Sequence, residues 1–129
     1  MIYGGGDDDI INGGDDNDIL IGDDGDDIIH GDDGNDILHG LDDDDTLYGG
    51  TGNDLLFGGN GSDILNGDDD IDVLVGGDGA DTLNGGDGND TLHGSGLTIQ
   101  EISTILKANP NVVFNSTTNS FYEYVATKD

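Results

Sequence analysis

The chain counts in nines. A nine-residue frame opens at Gly4 and runs to His93 through ten copies without an insertion. Position one is glycine in every copy, from Gly4 to Gly85. Position six is aspartate in every copy: Asp9, Asp18, Asp27, Asp36, Asp45, Asp54, Asp63, Asp72, Asp81 and Asp90. Position eight is Ile or Leu in every copy: Ile11, Leu20, Ile29, Leu38, Leu47, Leu56, Leu65, Leu74, Leu83 and Leu92. A unit this short cannot bury an apolar face by itself. It has to stack on its neighbours, which makes the array a solenoid.

The residues suit short strands joined by tight turns. One large apolar residue at the centre of each strand points inward, so opposite strands meet through a thin layer of Ile and Leu. A tight turn with φ > 0 favours glycine. Position four is aspartate instead at Asp7, Asp16, Asp43 and Asp70, and aspartate tolerates the left-handed region better than most residues. Position two is Leu41 in the fifth copy, and the eighth copy reads GDDDIDVLV. The weakest turns are expected around these two copies.

Charge decides the partners. Acidic residues number 30 against 2 Lys and Arg, a formal net charge of −28. The ten copies hold 27 aspartates and no cation. Nucleic acid and anionic membranes are poor partners for such a chain. One inward side chain per copy, worth about 1.5–3 kcal/mol, faces the ordering of nine residues at about 1 kcal/mol or more each. Repulsion among the carboxylates adds to that cost, so a bound cation is expected to hold the array together. With no cysteine the donors are carboxylates and carbonyls, hard oxygens that suit zinc and copper poorly. Mg²⁺ dehydrates reluctantly, whereas Ca²⁺ takes six to eight oxygens at flexible angles. No apolar run approaches the roughly 18 residues needed to cross a bilayer. The opening MIYGGG has neither part of a signal peptide. Met1, Ile2 and Tyr3 fit positions seven to nine of an earlier copy, so the array is expected to continue upstream in a longer protein.

At GGTGNDLLF the phrase resembles the RTX, or haemolysin-type, calcium-binding nonapeptide G-G-x-G-x-D-x-U-x, over about 70% of the chain. The resemblance implies an all-β, right-handed parallel β-roll. The first six residues of each copy would form a turn and the last three a strand, two copies making one coil. It implies Ca²⁺ between the turns of copies n and n+2, bound by the ten position-six aspartates named above. Backbone carbonyls of positions one to four would complete the shell. The candidates are Gly31, Asp33, Gly49, Gly50, Thr51, Gly52, Gly58, Gly59, Asn60, Gly61, Gly76, Gly77, Asp78, Gly79, Gly86 and Gly88. Ten copies offer up to about eight such sites. Because metal energy is then folding energy, the module is expected to fold upon Ca²⁺ binding. The resemblance also implies a larger bacterial protein, secreted by the type I route to the exterior or cell surface. Its flanking domains would belong to a toxin, protease, lipase or adhesin.

Other chemistries fit less well. No acid is singled out among the copies as glycosidase chemistry would require, so no catalytic residue is assigned. No lysine follows the glycine-rich turns, so they are not phosphate loops. His30, His39 and His93 all fall at position nine, which points outward. They are expected to be plain surface residues, too far apart to share a metal. The even copies show a more apolar outward face, with Ile19, Ile21, Ile37, Leu55, Phe57, Val73 and Val75. A contiguous apolar face marks a contact, so it is expected to dock a neighbouring domain, a second copy or the tail. The alternative function is therefore an acidic and apolar interaction module, for adhesion or partner docking, in which calcium is only structural or screening.

Two segments are expected, the calcium-binding roll over 1–96 and a capping segment over 97–129. Thr98 and Glu101 form a capping box for a helix over about 99–109, ended by Asn109-Pro110. Strands are expected over about 112–114 and 121–125, closing the end of the roll and hiding its last Leu. The stretch SFYEYVA resembles the opening strand of C-type-lectin-like domains.

Overall fold

The computed structural model describes residues 1–95 in full, and residues 112–115 and 120–123 by their backbone. The chain divides into two compact units, Met1–Gly96 and Leu97–Asp129.

The first unit is a succession of strands: β1 Ile2–Gly6, β2 Ile10–Asp15, β3 Ile19–Asp24, β4 Ile28–Asp33, β5 Ile37–Asp42, β6 Thr46–Thr51, β7 Leu55–Asn60, β8 Ile64–Asp69, β9 Val73–Asp78, β10 Thr82–Asp87 and β11 Thr91–His93. The odd-numbered strands form one parallel sheet, in the order β1-β3-β5-β7-β9-β11. The even-numbered strands form the other, in the order β10-β8-β6-β4-β2. Each strand pairs with the strand one coil later in a register of eighteen residues, as in Leu38↔Leu56 and Leu47↔Leu65. The result is an all-β solenoid of about five turns.

The core is the position-eight column. Leu20, Ile29, Leu38, Leu47, Leu56, Leu65 and Leu74 are completely buried, with Ile11 beside them. At the end of the described roll Leu83 is only partly buried, and Leu92 is 44% exposed.

The strands are longer than the three residues implied by the resemblance. Most run six residues, from position seven to position three of the next copy. Pairing skips position one and resumes at positions two and three, as in Gly5↔Asp23 and Gly6↔Asp24. The turn proper shrinks to positions four to six. Both position two and position four carry positive φ in all ten copies. Aspartates at position four hold φ of 76 to 79 (Asp7, Asp16, Asp43, Asp70), as expected. At position two the same conformation falls on Asp23, Asp32 and Asp68, and on Leu41 at φ 94. A leucine there is strained.

In the second unit, β12 Val112–Asn115 pairs antiparallel with β13 Ser120–Glu123. The helix expected over 99–109 lies outside the described residues.

Candidate metal centre

The position-six aspartates stand immediately before each strand, in one column along each edge of the roll. From Asp9 to Asp72 their main-chain carbonyls are already used: the position-seven N–H of the next coil donates to each, as in Leu55 N to Asp36 O at 2.9 Å and Thr46 N to Asp27 O at 2.8 Å. The side chains turn inward. Asp27, Asp36, Asp45, Asp54, Asp63 and Asp72 are no more than 1% exposed. Asp9, Asp18, Asp81 and Asp90, in the end coils, are partly buried.

From Asp27 to Asp81 each carboxylate splits its two oxygens between different tasks. Oδ1 accepts the backbone N–H of the aspartate one coil earlier. Asp36 N donates to Asp54 Oδ1 at 2.7 Å, Asp45 N to Asp63 Oδ1 at 2.9 Å, and Asp54 N to Asp72 Oδ1 at 2.8 Å. Oδ2 of Asp9, Asp27, Asp36, Asp45, Asp54, Asp63, Asp72 and Asp81 is buried without a hydrogen-bond partner. One orphaned carboxylate oxygen per turn, repeated up both edges, is costly unless a proton or a cation meets it.

Glycine at position one makes room for that oxygen. A methyl group placed on Gly40 would lie 2.0 Å from Asp45 Oδ2 and 2.7 Å from the carbonyl oxygen of Gly58. The same clash recurs at Gly22, Gly58 and Gly67. The invariant glycine therefore serves close approach, while the left-handed backbone falls at positions two and four.

Electrostatics point the same way. Burial lifts the Asp54 carboxyl to about 8; the Asp36 N–H opposes the rise and the charges of Asp72 and Asp36 add to it. Burial likewise lifts Asp45 to about 7, and Asp36, Asp63 and Asp72 to about 6. The column is most hostile to bare negative charge at its centre.

Among the described residues no three His, Cys, Asp or Glu side chains converge on one point. A cation on this column would take carboxylate oxygen together with main-chain carbonyls, a donor set for a hard ion. The candidate carbonyls lie on the strand ends and turns beside the column. Two of them, Thr51 and Asp78, already accept 2.9 Å bonds from Gly34 N and Gly61 N.

Position five carries a second ladder that the sequence reading missed. It runs the opposite way, each side chain accepting from the coil after it. Asp8, Asp26 and Asp44 accept from Asp26 N, Asp44 N and Ser62 N. Asn17, Asn35 and Asn53 accept from Asn35 N, Asn53 N and Ile71 N. The signal was present, since position five favours short side chains with an acceptor oxygen. Its partners lie eighteen residues away, beyond any local pattern.

His39 corrects an expectation. It is buried at 4% exposure and stacks on Phe57 with ring centroids 4.9 Å apart, so it is no plain surface residue. His30 stacks on Tyr48 at 4.7 Å. Outward residues on the six-stranded sheet are largely withdrawn from solvent. Of the seven expected to form a docking face, Ile37, Leu55, Phe57 and Val75 are buried. Ile19, Ile21 and Val73 are half-buried.

Against known families, the model of the RTX calcium-binding nonapeptide repeat matches four times, over residues 3–38, 30–65, 39–74 and 66–96. No curated protein and no solved structure matches the chain.

Proposed function

The chain belongs to the RTX calcium-binding nonapeptide repeat family, and from that membership we propose that it is a structural module of a larger secreted protein that folds when Ca²⁺ binds. The buried, unpartnered Oδ2 on the position-six column carries this reading. Without a cation, six fully buried carboxylates oppose the fold. With Ca²⁺ between the turns of copies n and n+2, each interior aspartate serves the ion above and the ion below. Binding is then cooperative along the stack, and its free energy is folding free energy.

The residues proposed as side-chain ligands are Asp9, Asp18, Asp27, Asp36, Asp45, Asp54, Asp63, Asp72, Asp81 and Asp90. Carbonyls of positions one to four complete each shell, for up to about eight ions. The sites nearest Leu41 and Ile71 are the weakest, because their turns depart furthest from the repeat. The role is structural and not catalytic. In a bacterial parent, low Ca²⁺ inside the cell would keep the array open for export, and higher Ca²⁺ outside would fold it beside its flanking domains. Among the described residues no helix is long and apolar enough to cross a membrane.

The test is far-UV circular dichroism of chelator-treated protein during titration with Ca²⁺ and then Mg²⁺, at fixed ionic strength. A steep, calcium-selective gain of β signal is the expected outcome. An equal response to Mg²⁺, or none, would overturn the folding role and leave an acidic module whose charge is merely screened.

A further inference from the structure

Both sheets turn uncharged residues outward, but only the five-stranded sheet leaves large apolar ones open to solvent along its central strands. Positions seven and nine of the odd copies point away from the core, and none of them is Asp or Glu, in a chain of net charge −28. Three isoleucines are open on it: Ile10 at 73%, Ile28 at 39% and Ile64 at 45% exposure. The matching positions on the other sheet, Ile37 and Leu55, are only 8% and 7% exposed. His30 and Tyr48 stack on the same face, so the strip runs on as one surface.

Carboxylates border the strip on both sides. Asp15, Asp33, Asp69 and Asp87 close the C-terminal ends of its strands, all exposed. Exposed Asp8, Asp26 and Asp44 precede the N-terminal ends.

We infer that this face docks a basic amphipathic helix of a partner protein. The apolar strip takes the helix's apolar stripe, and the two acidic rails take basic residues on either flank. Five strands at about 4.8 Å spacing give a track of about 19 Å, the length of about 13 helical residues. A second copy of this chain is the wrong occupant, because two such faces would bring their acidic rails together.

The experiment uses the calcium-loaded full chain and a fluorescent fourteen-residue Leu/Lys helix with lysines on both flanks, read by anisotropy. The control peptide has the same composition, scrambled to destroy the apolar stripe. The expected result is binding that weakens with salt, at least tenfold weaker for the scrambled peptide, and at least tenfold weaker for Ile28→Glu/Ile64→Glu. If that double variant does not fold by dichroism, Ile10→Glu on the outermost strand should cost fivefold or more. Equal binding of the two peptides would overturn the inference, as would an unaffected surface variant or a chain that dimerises through this face.

Discussion

Replacing Asp54 by asparagine separates two roles of one carboxylate. Asp54 sits at the centre of the column, 1% exposed, and burial raises its carboxyl to about 8. An unfolded aspartate titrates near 4. Between those values the unfolded chain has released a proton that the folded chain still holds. The stability Asp54 provides is complete below about pH 4 and is lost as pH climbs towards 8. Raising one carboxyl from near 4 to about 8 costs its ionised form at most about 6 kcal/mol, less what solvent screening returns. The asparagine side chain cannot ionise. It keeps an oxygen for the Asp36 N–H that Asp54 accepts at 2.7 Å, and it removes a charge that bears on its neighbours. In chelator, any β signal gained by protonating the column at low pH should therefore persist to a higher pH in Asp54→Asn than in the parent. With calcium the order reverses. The variant should bind fewer ions by calorimetry and fold at a higher Ca²⁺ concentration. If its metal-free dichroism fell at the same pH as the parent's, or if its calcium count were unchanged, the account of the column as a set of opposed buried charges would be refuted.

Three more substitutions probe other parts of the repeat. Gly40→Ala drives a methyl onto Asp45 Oδ2 and the Gly58 carbonyl, and should lower calcium-loaded stability by about 1–3 kcal/mol, measured by urea unfolding. Leu41→Gly relieves the φ of 94; about 1–3 kcal/mol of strain less the entropy of a new glycine should leave a gain of about 1 kcal/mol, seen as a higher melting temperature. Ile71→Asn gives the position-five ladder an acceptor for the next coil, where Ile71 has none and is 54% exposed; the gain should be about 0.5–1.5 kcal/mol, read by protection of the Asn89 amide from hydrogen exchange.

The solenoid was legible because its determinants repeat at fixed positions. Position eight predicted the core residue by residue, and Leu20 through Leu74 are its buried members. Asp7 and Asp43 announced left-handed turns that the backbone adopts. Asp23 and Asp32 gave no such warning, because an aspartate after glycine is equally at home in an ordinary turn. Strand length was hidden for a related reason. Glycine and aspartate argue against strand by propensity, yet the register of eighteen keeps positions two and three paired. His39 shows the widest gap. Alternation correctly turns it away from the position-eight column, but burial is decided by what covers a side chain, and the pattern of one strand does not contain that.

The register of eighteen also constrains how such a chain can change length. Consecutive copies belong to opposite sheets, so the array has a parity. Losing or gaining eighteen residues removes or adds one whole coil and leaves every later side chain on its own sheet. Losing nine would transpose everything downstream. Phe57 and Leu55 would move onto the sheet that carries Ile28, and the rows of Asn35 and Asp44 would exchange edges. Stacking would survive, since every copy shares the same glycine, aspartate and leucine columns, but the two faces would be scrambled at the seam. The heritable unit of growth for this roll is thus the coil of two copies, even though the unit of sequence is nine.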